Sequence, residues 1–392
     1  MRFLVRSLAA LSQSVVLPGD GYVDAHQTPA SFSCYSANTG QAFYINLPLA
    51  ALLTPIYVFV TPSYDPRPDL TVKEKLRTID WIGAFLIAAV LVLMITTTAL
   101  AGATVAWDSS TSIALWTMFG VVLLAFGVQQ SFAIFTTPDK RIFPIHFLKS
   151  RTMVLLFIAT ACAAIANAVT VYYIPLFFVF TRGDNPMDAA VRLLPFIVVF
   201  IFFVMLAGAT LPLHGRYSLY YLVGSVLILS GSTLMFTVRE DTQTARIYGY
   251  EVLIAAGAGI TFQNGYAVAS VKVKEADKSN AIGFINTGQI GMTAVALAVA
   301  SCLYQNLGVK FLGNALSDYG LPTPLLQASL GGAGSEALAS MPSQVASITI
   351  ETIAYTIARI FGMSMAAGAL LLVAGLAMRH EKVNLAGAAA GG

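Results

Sequence analysis

Charge is what this sequence has least of. Of 392 residues only 10% are Asp, Glu, Lys or Arg, against about 25% in an ordinary soluble domain. So few charges cannot cover a water-facing surface of this size, which excludes the ordinary soluble classes. The net charge of +3 is too small to point to nucleic acid. Cysteine is scarce as well: Cys34, Cys162 and Cys302 are far apart and form no CxxC pair. A disulfide framework is therefore excluded, and the thiols read as small buried fillers. The histidines, His26, His146, His214 and His380, are scattered, so the close clusters that membrane iron enzymes need are missing. HExxH, GxSxG and GxxxxGK[ST] are all absent, which leaves zinc proteolysis, serine hydrolysis and ATP-driven work without their usual residues. A ring of charges or a filter loop, as a pore would need, is not evident either. The sequence thus indicates no catalytic residues, metal or cofactor, and a protein that is not an enzyme.

What it does have is apolar length. Hydrophobic residues make up 57% of the chain and the mean hydropathy is +0.75. A helix needs roughly 20 apolar residues to cross a hydrocarbon core of about 30 Å. Nine stretches approach that length: 42–60, 81–102, 112–135, 153–180, 193–211, 217–238, 252–271, 281–303 and 360–378. None alternates as a barrel strand would. Gly and other small residues within them suit close helix packing in lipid. The expected fold class is an all-α integral membrane bundle of about nine transmembrane helices, with the lipid bilayer as its principal partner.

The connections alternate in charge. Arg67, Lys73, Lys75, Arg77, Lys140, Arg141, Lys149, Arg151, Arg216, Lys272, Lys274, Lys278, Arg379 and Lys382 fall on one side of such a threading. The other side carries Arg182, Arg192, Arg239, Arg246, Lys310 and Arg359. Lys and Arg concentrate in cytoplasmic loops, so a cytoplasmic C-terminus is expected. "LTVKEKLRTIDW" reads as a short amphipathic linker on the membrane surface. The Gly, Ser, Ala and Pro-rich segment 304–352 reads as a loosely ordered outer loop.

The first span opens with "FYINLP" at 43–48. Asn46 can cap backbone N–H groups, with Pro48 tolerated in a first turn. If the helix instead begins near Ala42, Pro48 kinks it and Asn46 helps satisfy the freed backbone. Either way the pair reads as a structural helix entrance. Residues 1–41 are unlike the rest. "MRFLVRSLAALSQSVVLPGD" has the outline of a signal peptide without a clear cleavage site.

Polar residues inside spans are expensive and are candidate functional groups by default. Asn167 sits amid alanines, with Tyr172 and Tyr173 following it. Gln263 and Asn264 follow Gly257 and Gly259, which allow close approach of a helix or a solute. Asn286 and Gln289, three apart, share a helix face. These seven residues are candidate substrate-binding groups. The competing reading is interhelical hydrogen bonding, worth typically ~0.6 kcal/mol each.

Several motifs occur together in an order that resembles the fourteen-helix drug:proton antiporter branch of the major facilitator superfamily, of fungal type. "FYINLP" is similar to the entry of that family's sixth helix and "IDWIGAFLI" to the start of the seventh. "VYYIPLFFVFTRGDNPMDAAVRLLPFIV" resembles the ninth and tenth. "HGRYSLYYLVGS" resembles the cytoplasmic turn that follows. "AAGAGITFQNGYAVASVKV" and "AIGFINTGQIG" resemble the twelfth and thirteenth, and "MRHEKVNL" the closing tail. The similarity runs over about 42–385. Departures exist: Thr39, Gly40 and Gln41 replace an aromatic, basic stretch, Val179 stands for a common Gln, and Ala189-Ala190 stand for Ser-Gly.

The resemblance implies transmembrane transport of small molecules: proton-coupled efflux of drugs, toxins or secondary metabolites. A siderophore, sugar or amino-acid carrier, or a non-transporting membrane scaffold, is the alternative. Small-molecule substrate and protons are the implied partners, with no nucleic acid or partner protein. Location is the plasma membrane, or the vacuolar membrane. Arg192 matches the Arg of the family's GVRLLP, with Pro195 in the first turn beyond it. Gly215 and Arg216 resemble a degenerate cytoplasmic loop motif that braces helices during alternating access. These join Asn46 and Pro48 as expected structural or gating residues. The implied organisation is 1–41 outside the family, from a truncated or mis-spliced gene model, and 42–135 first span and linker helices with a cytoplasmic loop at 61–79. Then come 136–303 as C-terminal lobe, 304–352 as outer loop, 353–380 as last span and 381–392 as cytoplasmic tail. The family's coupling acids would lie on helices before this region, so transport by this chain alone is expected to be deficient.

Overall fold

The computed structural model describes residues 46–59, 71–77, 79–102, 105–137, 140–331, 338 and 340–383. The described elements are helices of α, 3₁₀ or π type. The chain divides into two units at Val72. The first contributes α1, Asn46–Phe59, with Pro55 inside it and an exposed Pro48 in its first described turn. The expected start near Ala42 and the capping role of Asn46's side chain lie outside the described residues.

The second unit holds α3 (Trp81–Leu100), α4 (Ser110–Phe132), α5 (Arg151–Arg182), α6 (Pro186–Arg192), α7 (Leu194–His214), α8 (Tyr217–Phe236), α9 (Thr244–Phe262), α10 (Asn264–Lys272), α11 (Lys278–Asn286), α12 (Met292–Ala315), α13 (Thr323–Leu330) and α14 (Ser343–Ala377). A short α2, Val72–Arg77, precedes them at the expected amphipathic linker. Eight helices among the described residues are long and apolar enough to cross a membrane. Nine were expected; the first, 42–60, runs past the described residues at both ends.

Three expectations change in detail. The span expected at 252–271 begins at Thr244, because the turn that carries Arg246 and Glu251 is helical despite its charges. The last span starts at Ser343 rather than near 360. The segment 304–352, expected as a loose loop, contains the end of α12, all of α13 and the start of α14. Its small residues pack: Leu326 and Leu330 of α13 are buried, and a Cβ on Gly308 of α12 would meet the Leu330 side chain at 2.7 Å.

Helix α5 is the centre of the bundle. In its most apolar stretch 61% of residues are buried, against 17% in α3 and 6% in α4, so α5 is enclosed by protein while the α3–α4 pair is peripheral. It packs on α14, α9, α12 and α10. Helix α8 lies between α14 and α9, and α7 covers the other flank of α9. These contacts are close because they use glycine. A Cβ on Gly257 would lie 2.5 Å from the Gly224 carbonyl oxygen and 2.8 Å from the Ile228 nitrogen. One on Gly259 would lie 2.6 Å from the Phe200 carbonyl oxygen.

The α3–α4 pair is tied by polar side chains. Asp80 caps α3 by accepting from the Gly83 N–H at 2.8 Å, and it also accepts from Gln130 Nε2 at 2.9 Å. Gln129 Nε2 approaches the same carboxylate at 3.2 Å. At the far end of α3, Asn306 of α12 donates to the Ala101 carbonyl at 3.2 Å and accepts from Trp107 Nε1 at 3.1 Å. Cys162 is buried and Cys302 half-buried, both as free thiols.

Long-range bonds sort the connections into two ends, as the charge alternation requires. At one end Arg151 donates to the Ala377 carbonyl at 2.8 Å and Lys272 pairs with Glu381 at 2.7 Å. Val383 N–H donates to the Gly215 carbonyl at 2.8 Å there. At the other end Arg182 donates to the carbonyls of Glu240 and Thr242 at 2.9 and 2.7 Å. Between them α5 runs 32 residues, about 48 Å at 1.5 Å per residue.

Candidate functional site

Two neighbouring helices of the bundle are irregular at the same level. Helix α9 ends at Phe262 and α10 begins at Asn264, with Gln263 as the turn between. Tyr266 N–H bonds to the Gln263 carbonyl at 3.2 Å, three residues back instead of four, so the Phe262 carbonyl loses its regular helical donor. Gln289 takes that place: its Nε2 donates to the Phe262 carbonyl at 2.9 Å. Gln289 itself belongs to the π-helical turn Thr287–Gly291 between α11 and α12. Each irregularity lies about nine residues, or roughly 14 Å, from the Lys272–Lys278 end of its helix.

Tyr266 completes the cluster. Its hydroxyl lies 2.7 Å from Gln289 Oε1 and 2.9 Å from Asn286 Oδ1. One hydroxyl has one proton. Gln289 must accept it, because its NH₂ group is already spent on Phe262. Asn286 Oδ1 is a second acceptor within reach of the same proton, at 2.9 Å. The Asn286 side chain is exposed, with its NH₂ group unused among the described residues.

The seven expected binding residues divide accordingly. Asn286 and Gln289 are brought together by Tyr266, a residue the sequence reading passed over as one aromatic among many. Gln263 is exposed, and its side chain makes no hydrogen bond among the described residues. Asn264 is buried and donates to the Ile260 carbonyl of the preceding turn at 2.7 Å, so its amide serves the helix break. Asn167 lies half-buried on α5 without a side-chain bond among the described residues. It is two turns beyond Thr160, which is level with Gly265 of α10. Tyr173 is buried and Tyr172 is 56% exposed. Their rings meet at 5.1 Å, and Tyr173 lies 6.0 Å from Tyr304 of α12. The tyrosines thus form a second cluster, further from the Lys272 end than Asn167.

The expected gating residues have defined surroundings. Arg192 ends α6 and pairs with Asp184 at 2.8 Å. It also reaches the Tyr248 hydroxyl at 3.3 Å and stands 5.1 Å over the Phe178 ring. This locks the guanidinium between three elements, which a free interfacial anchor would not be. Pro195 falls in the first turn of α7 as expected. Gly215 ends α7 with φ +68°, a left-handed conformation that favours glycine. A Cβ there would also meet the Val383 carbonyl at 2.8 Å. Arg216 is exposed beside it. A cavity of about 950 Å³ opens at the opposite end, lined by Arg182, Glu240, Phe311, Glu351 and Tyr355 among others. None of the expected substrate-binding or gating residues lines it. Burial, followed by the neighbouring Glu351, raises the Glu240 carboxyl above its ordinary range.

Apolar helices of spanning length, enclosing backbone breaks stitched by amides, define a multi-pass integral membrane protein. Comparison with known proteins agrees. The chain is 36% identical over 347 residues to the efflux pump patC of Aspergillus clavatus, a match covering 88% of this chain and 63% of that protein. It is 34% identical over 366 residues to the efflux pump DEP3 of Fusarium langsethiae, covering 93% and 66%. With the MFS-type transporter patC of Penicillium expansum it shares 35% over 347 residues, covering 88% and 63%. No family model matches the chain. The chain belongs to the major facilitator superfamily, and it spans a little under two thirds of the length of these curated relatives.

Proposed function

We propose that this chain takes part in export of small organic molecules, of the drug, toxin or secondary-metabolite class, across a membrane by alternating access. The observation that carries this reading is the paired helix break. Non-helical backbone at membrane depth is tolerated only where it is buried in protein or lines a water-filled cavity. In transporters such breaks mark the substrate site. Here the break is sealed on one side by Gln289 and Tyr266, while the exposed amide of Gln263 and the NH₂ group of the exposed Asn286 are left for a solute. Asn167 offers a third unpaired amide on the central helix. Tyr172 adds an aromatic face. The names of the relatives, as efflux pumps, support the direction of transport. Protons as the driving ion, a cytoplasmic C-terminus and the plasma membrane as location belong to the same proposal, with the density of basic residues supporting the orientation.

Six crossings, α5, α6–α7, α8, α9–α10, α11–α12 and α14, make one lobe of a two-lobe carrier. The test is efflux of a panel of fluorescent dyes from vesicles, with and without a proton uncoupler. The chain would be run alone and beside a relative such as the Aspergillus clavatus pump. Uncoupler-sensitive efflux supports the reading. Substituting Asn167 and Gln263 together by Ala is expected to alter dye selectivity, and unchanged selectivity would assign both residues to packing.

A further inference from the structure

Glu251 is unexplained by anything above. It lies on α9 two turns beyond Thr244, is 0% exposed, and neither carboxyl oxygen has a hydrogen-bond partner among the described residues. The helices packed on α9 are α5, α7, α8 and α10. Their charges sit only at their ends: Arg151 and Arg182 on α5, His214 on α7, Lys272 on α10, and none on α8. On α9 itself Arg246, five residues before Glu251, is exposed, and Arg192, which touches Tyr248 one turn before Glu251, is committed to Asp184. The buried hydroxyls of Tyr173, Tyr217 and Tyr221 are also unpartnered, so none of them bonds Glu251. An ionised carboxylate in this position would have neither a counterion nor a donor, and an uncompensated buried charge is avoided by neutralisation.

We propose that Glu251 is a proton-binding site of this lobe, loaded in the packing seen here and unloaded when water reaches α9. The inference rests on the export reading for its purpose, though not for its chemistry. On release the Oε–H bond breaks, its electron pair stays on the carboxylate, and the proton passes to water. Gly231 brings the Tyr250 carbonyl and Ile254 of α9 against α8, with 2.9 Å from a would-be Cβ to that carbonyl oxygen. Gly257 and Gly259 continue the same close seam against α8 and α7. Thr261 and Ile254 of α9 fill the notches at Gly224 and Gly231 of α8, so water reaches Glu251 only if these helices separate, as the rearrangement of an alternating-access lobe would require. Small residues of this kind let helix backbones approach closely.

The test uses dicyclohexylcarbodiimide, an apolar reagent that adds to a carboxyl only in its protonated form, on the full chain in lipid vesicles. Peptide mass mapping is expected to place an adduct on Glu251, and the labelling rate to fall at least tenfold between about pH 6 and about pH 10, as the reactive protonated form is lost. E251Q should remove the adduct from that peptide. If that variant does not fold, the pH profile of the unaltered chain decides alone. Absence of an adduct at Glu251, or a labelling rate unchanged across that range, overturns the proposal. Labelling needs no transport, so its failure overturns the proton site alone and leaves the export reading to the efflux and selectivity assays.

Discussion

The Tyr266 hydroxyl stands 2.7 Å from Gln289 Oε1, so the helix resuming after Gln263 is bonded to the π-helical turn of the next crossing, 23 residues on in sequence. Because Gln289 is 8% exposed, Tyr266→Phe leaves its oxygen without a donor. We expect a loss of about 1 kcal/mol of unfolding free energy. Gln289→Leu should cost more, since the Phe262 carbonyl loses its partner too. The two changes should be less than additive, as expected of residues in one network. Denaturant unfolding in detergent of both single variants and the double variant measures this, and strict additivity would remove the proposed coupling.

Gly257 faces backbone atoms of α8 that cannot yield as a side-chain tip would. Gly257→Ala is expected to cost about 1–3 kcal/mol, in the range of overpacked cores. Gly249, whose Cβ would meet nothing within 4 Å, is the control: Gly249→Ala should be neutral or slightly stabilising. Thermal melting of purified protein distinguishes them.

Asp80 joins a helix cap to the Gln129–Gln130 pair of α4. Asp80→Ala removes the cap and one acceptor from each amide, leaving Gln129 its bond to the Ile134 carbonyl and Gln130 its bond to Gln129 Oε1, and is expected to cost about 1–2 kcal/mol. Asp80→Asn retains a capping oxygen and should recover about half of that loss. Cysteine accessibility introduced along α4 would report whether the α3–α4 pair separates.

Glu381 is held below the ordinary carboxylate range, chiefly by its hydrogen bond from Lys272 and also by the charges of Lys272 and Arg379. A lowered folded pKa means the unfolded state binds more protons. The stabilisation is therefore complete above the ordinary Glu value, about 4.3, and disappears as pH falls through the lower folded value. Tail protection in hydrogen exchange should be flat from neutral pH down to that point and decline only below it. Glu381→Gln should release the tail at neutral pH, and a tail equally protected in that variant would show that the Val383–Gly215 backbone bond is sufficient.

The threading was legible because it depends on quantities that add along the chain. Apolar length and cationic loops need no knowledge of neighbours, and the structure sorts Arg151, Lys272 and Glu381 to one end and Arg182 and Glu240 to the other. The break at Gln263 was half legible. Polar residues beside glycines in an apolar run marked the place, but which of Gln263 and Asn264 points inward depends on the missing helical bond. Glu251 was not legible. Beside Arg246 it looks like the solvated edge of a span, and its burial comes from α8 and α7 closing over a turn whose own composition gives no reason to be covered.

Taken by itself, the order of amino acids determined that the chain is a helical membrane bundle, which segments cross, and which ends share a side, because hydrophobic length and charge act locally. Only the tertiary structure decided that Tyr266 serves Gln289, that Arg192 is bound to Asp184, and that Glu251 lacks a partner. Each of those outcomes is a matter of distance between side chains on different or re-entering elements, and pairing within a low-dielectric interior is set by which faces meet, a relation that no single helix encodes.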